Sequence, residues 1–170
     1  MKPGDHPEFF RFPAPEGRSR ESTIVLRADG VFLHDGDVVR HPKLAEAMHR
    51  WISRHPDDGR YILTNGYDWT YFTVEDAPYT VVAVKDEAGS PVLRLSDGSE
   101  EPLDPEGVLV GPDDSLYARV KASSPHGPFE ARFSRYAQAA GLAPFLSEPA
   151  ANPGRVELVV GGRGFPILSR

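Results

Sequence analysis

Two apolar triplets on either side of an Asp-Gly dipeptide form the first regular pattern in the chain. Residues 24–26 (Ile-Val-Leu) precede the segment 27–30, and residues 31–33 (Val-Phe-Leu) follow it. Asp-Gly between such runs is typical of a β-hairpin, because this dipeptide accommodates the backbone angles of a tight turn. The pattern predicts a hairpin, and a second turn at 35–37 leads to Val38 and Val39.

An amphipathic pattern begins at Pro42, which suits the first position of a helix because that position needs no backbone N–H. The sequence HPKLAEAMHRWISRH spaces its apolar side chains about 3.6 residues apart, which predicts a helix with one apolar stripe. The residues 56–59, Pro-Asp-Asp-Gly, end it. The stripe consists of Leu44, Ala47, Met48, Trp51 and Ile52.

Three predicted strands follow, RYILT (60–64), WTYFTV (69–74) and YTVVAV (79–84), with turns at 65–66 and 76–78. YTVVAV is almost entirely apolar, which predicts a central strand. In WTYFTV, Trp69 and Tyr71 fall on one face, and large amphipathic aromatics on an accessible face suit a pocket or a partner surface. The alternative is that both faces of this strand are buried core.

A similar order of patterns recurs in the second half of the chain. VLVGPDDSLYARV follows the first hairpin at an offset of 84 residues, and RVELVVGGRGFPILS follows RYILTNGYDWTYFTV at an offset of 95. Between them, FEARFSRYAQAAGL predicts a second helix, offset by 85 residues from the first. This order predicts an internal duplication, and the alternative is chance recurrence of common patterns. The second stripe consists of Phe129, Phe133, Tyr136 and Ala137.

These patterns together predict an α+β fold. It has two similar lobes, each a β-hairpin, a helix and a second β-hairpin, with mainly antiparallel sheets that each pack against one helix. The first repeat spans residues 22–85 and the second spans 108–170. An acidic connector with one candidate strand, residues 86–107, lies between them.

Residues 1–21 form a proline-rich, irregular N-terminal arm. Phe9, Phe10 and Phe12 lie within it. Because exposure of three large apolar side chains to water is unfavourable, we expect the arm to dock on the body of the protein.

The stretch from Asp29 to Val81 resembles a bacterial family, the domain of unknown function 1285. The resemblance is carried by DGVFLHDGDVVRHPKLAEAMHRWISRHPDDGRYILT and by VEDAPYTV. Tyr79 stands where that family has Phe, and the segment TNGYDW departs from its pattern. The resemblance implies an α+β fold with two repeated lobes. It implies no established activity, only a suggested signalling or ligand-binding role.

Composition is that of a globular protein, with 39% apolar and 26% charged residues. There is no Cys, which excludes a disulfide scaffold, a thiolate metal site and a Cys nucleophile. The sequence shows neither an apolar signal region nor a run of membrane-spanning length. These features predict a cytoplasmic protein without a membrane partner.

The formal net charge of −6 argues against a nucleic-acid partner, which requires a basic face. Residues 1–118 carry 12 Lys/Arg and 22 Asp/Glu, whereas residues 119–170 carry 7 and 3. This distribution predicts either attraction between the two parts or an ordinary solvated surface.

No residue set in the sequence identifies a reaction. His34, Asp35, Asp37 and His41 are close together, but Asp-Gly-Asp is ordinary turn chemistry and no zinc motif is present, so the turn interpretation is preferred. A nucleophile elbow is absent, and adjacent carboxylates fit solvated turns better than acid–base catalysis. The segment VVGGRGF can bind an anion through its backbone N–H groups, but its glycines favour a plain β-turn.

The leading hypothesis is a non-catalytic module that binds a small ligand or takes part in signalling, with its site in a cleft between the two lobes. No cofactor or metal is predicted, and the partner is an unidentified small ligand or protein. One alternative is a protein–protein adaptor that uses the arm and the acidic connector. A hydrolase with a dispersed active site has less support. The predicted ligand-binding residues are Arg60, Tyr67, Trp69, Tyr71 and Arg163.

Overall fold

The Asp-Gly hairpin predicted near the N-terminus is present in the computed structural model, which describes residues 1–170. Strand β1 (Val25–Leu26) pairs antiparallel with β2 (Phe32–His34), and Gly30 has a φ of +83° in the turn between them. A second turn, with positive φ at both residues 35 and 36, leads into β3 (Asp37–Val38). Both predicted turns therefore form where the sequence places them.

Helix α1 spans Pro42–Arg50 and begins where the sequence predicts, but it ends before the predicted stop at 56–59 because Ile52–Arg54 form a strand. The Nδ1 atom of His41 accepts a hydrogen bond from the Leu44 N–H at 3.2 Å, which satisfies one of the donors at the start of the helix. Met48 is buried, whereas Leu44 on the same stripe is 43% exposed. Part of the apolar face of α1 is therefore open to solvent.

A three-stranded antiparallel meander follows the helix. Its strands are β4 (Ile52–Arg54), β5 (Tyr61–Thr64) and β6 (Trp69–Tyr71). Ile62 lies opposite Tyr71, and Trp69 is two residues from Tyr71, so the three side chains share one face of the meander. Leu63 lies opposite Thr70, and these two share the other face. The alternation predicted for WTYFTV is therefore present.

Strand β7 (Thr73–Val74) returns to the hairpin and pairs parallel with β1, which gives the strand order β3-β2-β1-β7. Between β6 and β7, Phe72 is buried with its ring centroid 6.0 Å from that of Phe32. The predicted strand WTYFTV is thus two short strands, one in each sheet. Both sheets belong to one compact unit, Met1–Pro78.

The second unit, Tyr79–Arg170, contains ten strands. They are β8 (Tyr79–Glu87), β9 (Ser90–Leu95), β10 (Glu100–Pro102), β11 (Val108–Val110), β12 (Leu116–Val120), β13 (Phe129–Phe133), β14 (Leu146–Ser147), β15 (Glu157–Val160), β16 (Arg163–Pro166) and β17 (Leu168–Ser169).

Seven of these strands form one sheet with the order β10-β9-β8-β13-β12-β11-β17, and β14, β15 and β16 form a separate meander. The prediction of a central strand at YTVVAV is confirmed, because β8 pairs antiparallel with β9 and parallel with β13. Val81 and Ala131 on these two strands are fully buried.

The boundary between the units falls after Pro78 and differs from the predicted boundary at residue 85. Strand β8 continues to residue 87 and turns back into β9 through Ala88 and Gly89, both at positive φ. The segment 86–107, predicted as a connector with one candidate strand, contributes both β9 and β10 to the sheet. Its acidic side chains did not reveal the pairing, because every second position on a strand can face solvent.

Acidic and basic side chains of the second unit pair with one another. Lys121 Nζ lies 2.7 Å from the Asp97 carboxylate, and the Arg132 guanidinium lies 2.8 Å from that of Asp113. Burial alone would raise the pKa of Asp97, but hydrogen bonds from Lys121 and Ser99 outweigh it and hold this pKa below its usual value. The attraction predicted from the uneven charge thus operates inside one unit.

The helix predicted over 129–142 is wrong in its first part, because residues Phe129–Phe133 form β13. Residues 129, 131 and 133 are buried in alternation, and a spacing of four residues fits a strand as well as a helix. A π-helical segment, Ala137–Leu142, follows, and Tyr136 is exposed rather than part of an apolar stripe. The α+β class is confirmed, but the internal duplication is not.

The helices of both units are short. None of them has the length together with the apolar character that crossing a membrane requires.

Candidate functional site

The N-terminal arm, residues 1–21, covers the aromatic face of the β4–β5–β6 meander. A short 3₁₀ turn, Pro7–Arg11, carries Phe10, whose ring centroid lies 5.9 Å from that of Trp69. Phe10 is 5% exposed, whereas Phe12 is 63% exposed. The docking predicted for the arm is therefore confirmed, and Phe10 is its buried anchor.

An ion pair joins the end of the arm to this face. The Arg60 guanidinium donates to both carboxylate oxygens of Glu21, at 2.8 and 2.9 Å, and its central carbon lies 3.7 Å from the centroid of the Tyr71 ring. The Tyr71 hydroxyl donates to the Asp58 carboxylate at 2.7 Å. Burial of the phenol and this hydrogen bond to a carboxylate raise the pKa of Tyr71 to about 12. Arg60, which was predicted to bind a ligand, therefore forms an ion pair with Glu21 of the arm.

A buried histidine contacts the arm beside Phe10. His55 Nε2 lies 3.0 Å from the Phe10 carbonyl oxygen, and the Asp57 N–H donates to His55 Nδ1 at 3.1 Å. Because a carbonyl oxygen only accepts hydrogen bonds, we assign the imidazole proton to Nε2. Arg11 donates to both oxygens of the Asp57 carboxylate, which lowers the pKa of Asp57. The arm and this part of the meander are thus connected by both apolar and charged contacts.

The start of the arm packs against the turn between β5 and β6. The Gly4 N–H donates to the Gly66 carbonyl oxygen at 2.8 Å. A Cβ atom on Gly4 would lie 2.9 Å from the Gly66 Cα, and Gly66 itself has a φ of +89°. The close approach of the two backbones requires glycine at position 4, and the positive φ favours glycine at position 66. Lys2 Nζ also donates to the Asn65 carbonyl oxygen at 3.3 Å.

The predicted ligand-binding residues do not form one open site. Arg60, Trp69 and Tyr71 lie together beneath the arm. Tyr67 is exposed, with Lys2 Nζ 5.5 Å from the centroid of its ring. Arg163 belongs to the second unit, in β16, where its guanidinium lies 4.8 Å from the centroid of the Phe165 ring.

A cavity of about 330 Å³ lies on the other side of the meander, between its strands, the β1–β2–β3 hairpin and α1. Leu63 and Thr70, on the face opposite the arm, contribute to its wall. The apolar wall further consists of Ile24, Val39, Leu44, Met48 and Trp51. Polar positions at the cavity are His34, Asn65 and Asp68, and Trp69 also lines it. Its volume lies within the range of small-molecule sites in proteins.

Sequence reasoning found Trp69 but missed the helix side of this cavity. Leu44, Met48 and Trp51 were interpreted as core, since an apolar stripe on a helix is usually buried. The partial exposure of the stripe at Leu44 depends on contacts that no local pattern encodes.

Two polar residues at the cavity, Asp68 and Thr70, form hydrogen bonds with Arg20 of the arm. The Asp68 carboxylate accepts from Arg20 Nη1 at 2.8 Å and from the Trp69 N–H at 2.9 Å. The Thr70 hydroxyl donates to the Arg20 carbonyl oxygen at 2.8 Å. The arm therefore reaches the edge of the cavity as well as the aromatic face.

The second unit has a wider cavity of about 640 Å³. Its lining includes Asp114, Arg155 and Glu157, together with apolar side chains such as Leu116 and Leu168. Arg155 and Leu168 are exposed and charged side chains share the lining, so this cavity is a mixed surface rather than an apolar pocket.

The remaining motifs have structural roles. Gly161 and Gly162, both at positive φ, form the two-residue turn between β15 and β16, so the β-turn interpretation is confirmed. His34 Nε2 lies 3.7 Å from the Asp35 carboxylate, and the other Asp35 oxygen accepts a hydrogen bond from the Thr23 hydroxyl. His41 caps α1 instead of approaching them.

Comparisons with known proteins identify the fold. No family model matches the sequence, and no curated protein is significantly similar to it. A DUF1285 family protein from Silicibacter pomeroyi DSS-3 has a similar structure, with a TM-score of 0.67 and 16% sequence identity over 94% of this chain and 92% of that one. A DUF1285 family protein from Shewanella baltica OS155 gives a TM-score of 0.53 and 20% identity over 69% of this chain and 87% of that one. The chain thus shares the fold of DUF1285 family proteins, the family that its sequence resembles.

Proposed function

We propose that this protein is a non-catalytic module that binds a small, largely apolar ligand in the cavity of its first unit. The observation that carries the proposal is the cavity itself, about 330 Å³ with a wall of six apolar side chains and Trp69. Such an opening between a hairpin, a helix and a sheet leaves Leu44 partly exposed. A ligand that covers this apolar surface would be stabilised by its removal from water.

The polar residues at the cavity favour a ligand with one polar end. His34 and Asn65 are exposed and line the cavity, and Asp68 adds a carboxylate. The apolar part of the ligand would pack on α1 and β5, and its polar part would face these three residues. Of the residues predicted from the sequence, Trp69 remains in the proposed site. Arg60, Tyr67 and Tyr71 are proposed to hold the arm, and Arg163 is not included.

A thermal-shift screen against a broad library of metabolites tests the proposal. A ligand present at about 100 times its Kd adds about 2.7 kcal/mol to the free energy of unfolding, which raises Tm measurably. The variant Leu44→Trp fills the cavity from α1 and should abolish the shift. Lys43→Trp places the same side chain on the exposed, adjacent position and should leave the shift intact.

Two results would contradict the proposal. One is that no compound across the library stabilises the natural protein. The other is a compound whose stabilising effect is the same in Leu44→Trp and Lys43→Trp, because that compound binds elsewhere.

A further inference from the structure

We propose that docking of the N-terminal arm and occupation of the first-unit cavity are coupled, so that a bound ligand tightens the arm and the docked arm strengthens binding. This inference rests on the proposed function, since it concerns regulation of the same site. It identifies the segment 65–70 as the element that both processes stabilise.

Four residues of this segment line the cavity and also bind the arm. The Asn65 carbonyl oxygen accepts from Lys2 Nζ at 3.3 Å, and Arg20 Nη1 donates to the Asp68 carboxylate and to the Trp69 carbonyl oxygen. The Thr70 hydroxyl donates to the Arg20 carbonyl oxygen. A ligand that fixes the positions of these residues therefore fixes the groups to which the arm attaches.

Hydrogen bonds within and next to the segment also connect its residues to one another. The Asn65 side-chain oxygen accepts from the N–H groups of Tyr67 and Asp68, at 2.8 and 2.9 Å. The Thr64 hydroxyl donates to the Asp68 carbonyl oxygen at 2.9 Å. A shift at one end of this turn is thus transmitted to Gly66, which binds the start of the arm.

The hydrogen-bonding groups of the arm interface are also incompletely satisfied. The Arg20 guanidinium carbon lies 4.6 Å from the centroid of the Trp69 ring, yet the Nε donor of Arg20 and the Nε1 donor of Trp69 are buried without a hydrogen-bond partner. Buried donors without acceptors are unfavourable, so the docked state is less stable than its contact area alone implies. Its equilibrium is therefore open to a shift by a ligand that stabilises the same segment.

Coupling of this kind is reciprocal in free energy. If a ligand increases the docking equilibrium of the arm by a given factor, docking must increase the affinity for the ligand by the same factor, typically about 5- to 150-fold. A merely structural arm would leave ligand affinity unchanged.

The first experiment measures hydrogen exchange at the Gly4 amide, which donates to Gly66. Leu44→Trp acts as a tethered occupant of the cavity, and Lys43→Trp is its matched control on the exposed side of α1. We expect Gly4 protection to increase about 5-fold or more in Leu44→Trp and to stay at the natural level in Lys43→Trp. Equal protection in the two variants would overturn the coupling, whether or not a natural ligand is known.

The second experiment measures the affinity of 8-anilinonaphthalene-1-sulfonate, an apolar probe with one anionic group, by calorimetric titration. Arg20→Gln removes the contacts with Asp68 and Trp69, and Arg18→Gln removes an exposed arginine of the same arm that has no side-chain partner. We expect Arg20→Gln to weaken binding of the probe by the same factor as that by which Leu44→Trp increases Gly4 protection. Arg18→Gln should leave the affinity unchanged. Gly4→Ala, at the other end of the arm, should weaken binding as well.

The outcomes separate the two proposals. If Leu44→Trp does not block the probe, or if no compound binds the natural protein, the proposed site fails, while the exchange comparison still decides the coupling. If the probe binds in the cavity with equal affinity in Arg20→Gln and Arg18→Gln, the coupling is wrong and the proposed site stands.

Discussion

At the scale of single residues, Phe10 is the phenylalanine of the arm that is buried. It lies in one cluster with Ile62 and Trp69, whereas Phe12, two residues later, is largely exposed. We predict that Phe10→Ala lowers the free energy of unfolding by about 3–5 kcal/mol, because truncation leaves a cavity in a packed cluster. Phe12→Ala should change it by less than about 0.5 kcal/mol. Urea denaturation of both variants measures the difference.

This comparison also tests the adaptor hypothesis. An arm whose phenylalanines contact a partner instead of the body would lose capture of that partner on Phe10→Ala with little loss of stability. Equal stabilities of Phe10→Ala and Phe12→Ala would therefore contradict the packing described here.

Tyr71 provides a second prediction at this scale, from its pKa of about 12. An unfolded tyrosine ionises near 10, so the folded protein retains this proton where the unfolded chain loses it. The contribution of Tyr71 to stability is thus fully present below pH 10 and is lost as the pH rises towards about 12. Titration by ultraviolet absorbance should show a tyrosine that ionises near pH 12 and that is lost in Tyr71→Phe.

The control for this titration is Asp58→Asn. It removes the charge that accepts the Tyr71 hydroxyl but leaves the ring in place. The pKa of Tyr71 should fall towards the usual value, although burial alone still holds it above. An unchanged late titration in Asp58→Asn would show that the carboxylate does not contribute.

The sequence indicated the importance of Trp69 and Tyr71, because alternation in WTYFTV places both on one strand face. It did not indicate what covers them. Phe10 and Trp69 are 59 residues apart in the sequence, and no local pattern encodes a contact of such separation. Arg60 was likewise predicted to bind a ligand, whereas its anionic partner in the structure is Glu21 of the same chain.

At the scale of elements, the start of the arm contacts the β5–β6 turn through a backbone hydrogen bond between Gly4 and Gly66. We predict that Gly4→Ala releases the start of the arm, because the new Cβ would lie 2.9 Å from the Gly66 Cα and backbone cannot give way as a flexible side chain can. The free energy of unfolding should fall by about 1–3 kcal/mol, as for other overpacked contacts. Chemical denaturation measures it, with Glu16→Ala, an exposed position of the same arm, as the control.

If Gly4→Ala is as stable as the natural protein, the close approach of the two backbones is not a determinant of docking. A loss of stability in Gly4→Ala without any change in the exchange of the arm amides would also contradict it, because the effect would then arise elsewhere.

The first hairpin and α1 were predictable because their signals are local: Asp-Gly in the turn, Pro42 at the first helical position and a stripe of period 3.6. Strand β13 was not. Over five residues, the sequence FEARF fits both the helical period and the strand period. It forms a strand because it pairs with β8, which is remote in sequence. Tertiary pairing therefore overrides a helical pattern here.

At the scale of the whole molecule, each of the two units has its own sheets and its own buried side chains. Pairs such as Lys121–Asp97 and Arg170–Glu130 neutralise charge within the second unit, and Arg60–Glu21 does so within the first. The boundary at Pro78 was not predictable, because the apolar run that begins at Tyr79 continues the pattern of the strands before it. Strand β8 belongs to the sheet of the second unit because it pairs with β9 and β13, which follow it in the chain.

The two tryptophans of the protein, Trp51 and Trp69, both lie in the first unit and line the same cavity. Tryptophan emission should therefore follow the unfolding of residues 1–78 alone, while far-ultraviolet circular dichroism follows the strands of both units. In Phe10→Ala, we predict that the emission midpoint in guanidinium falls further than the dichroism midpoint. An equal shift of both signals would mean that the units unfold as one. Because Trp51 lies in the wall of the candidate site, the molecule carries its own optical reporter there, and a bound compound should change the wavelength and intensity of tryptophan emission without any added label.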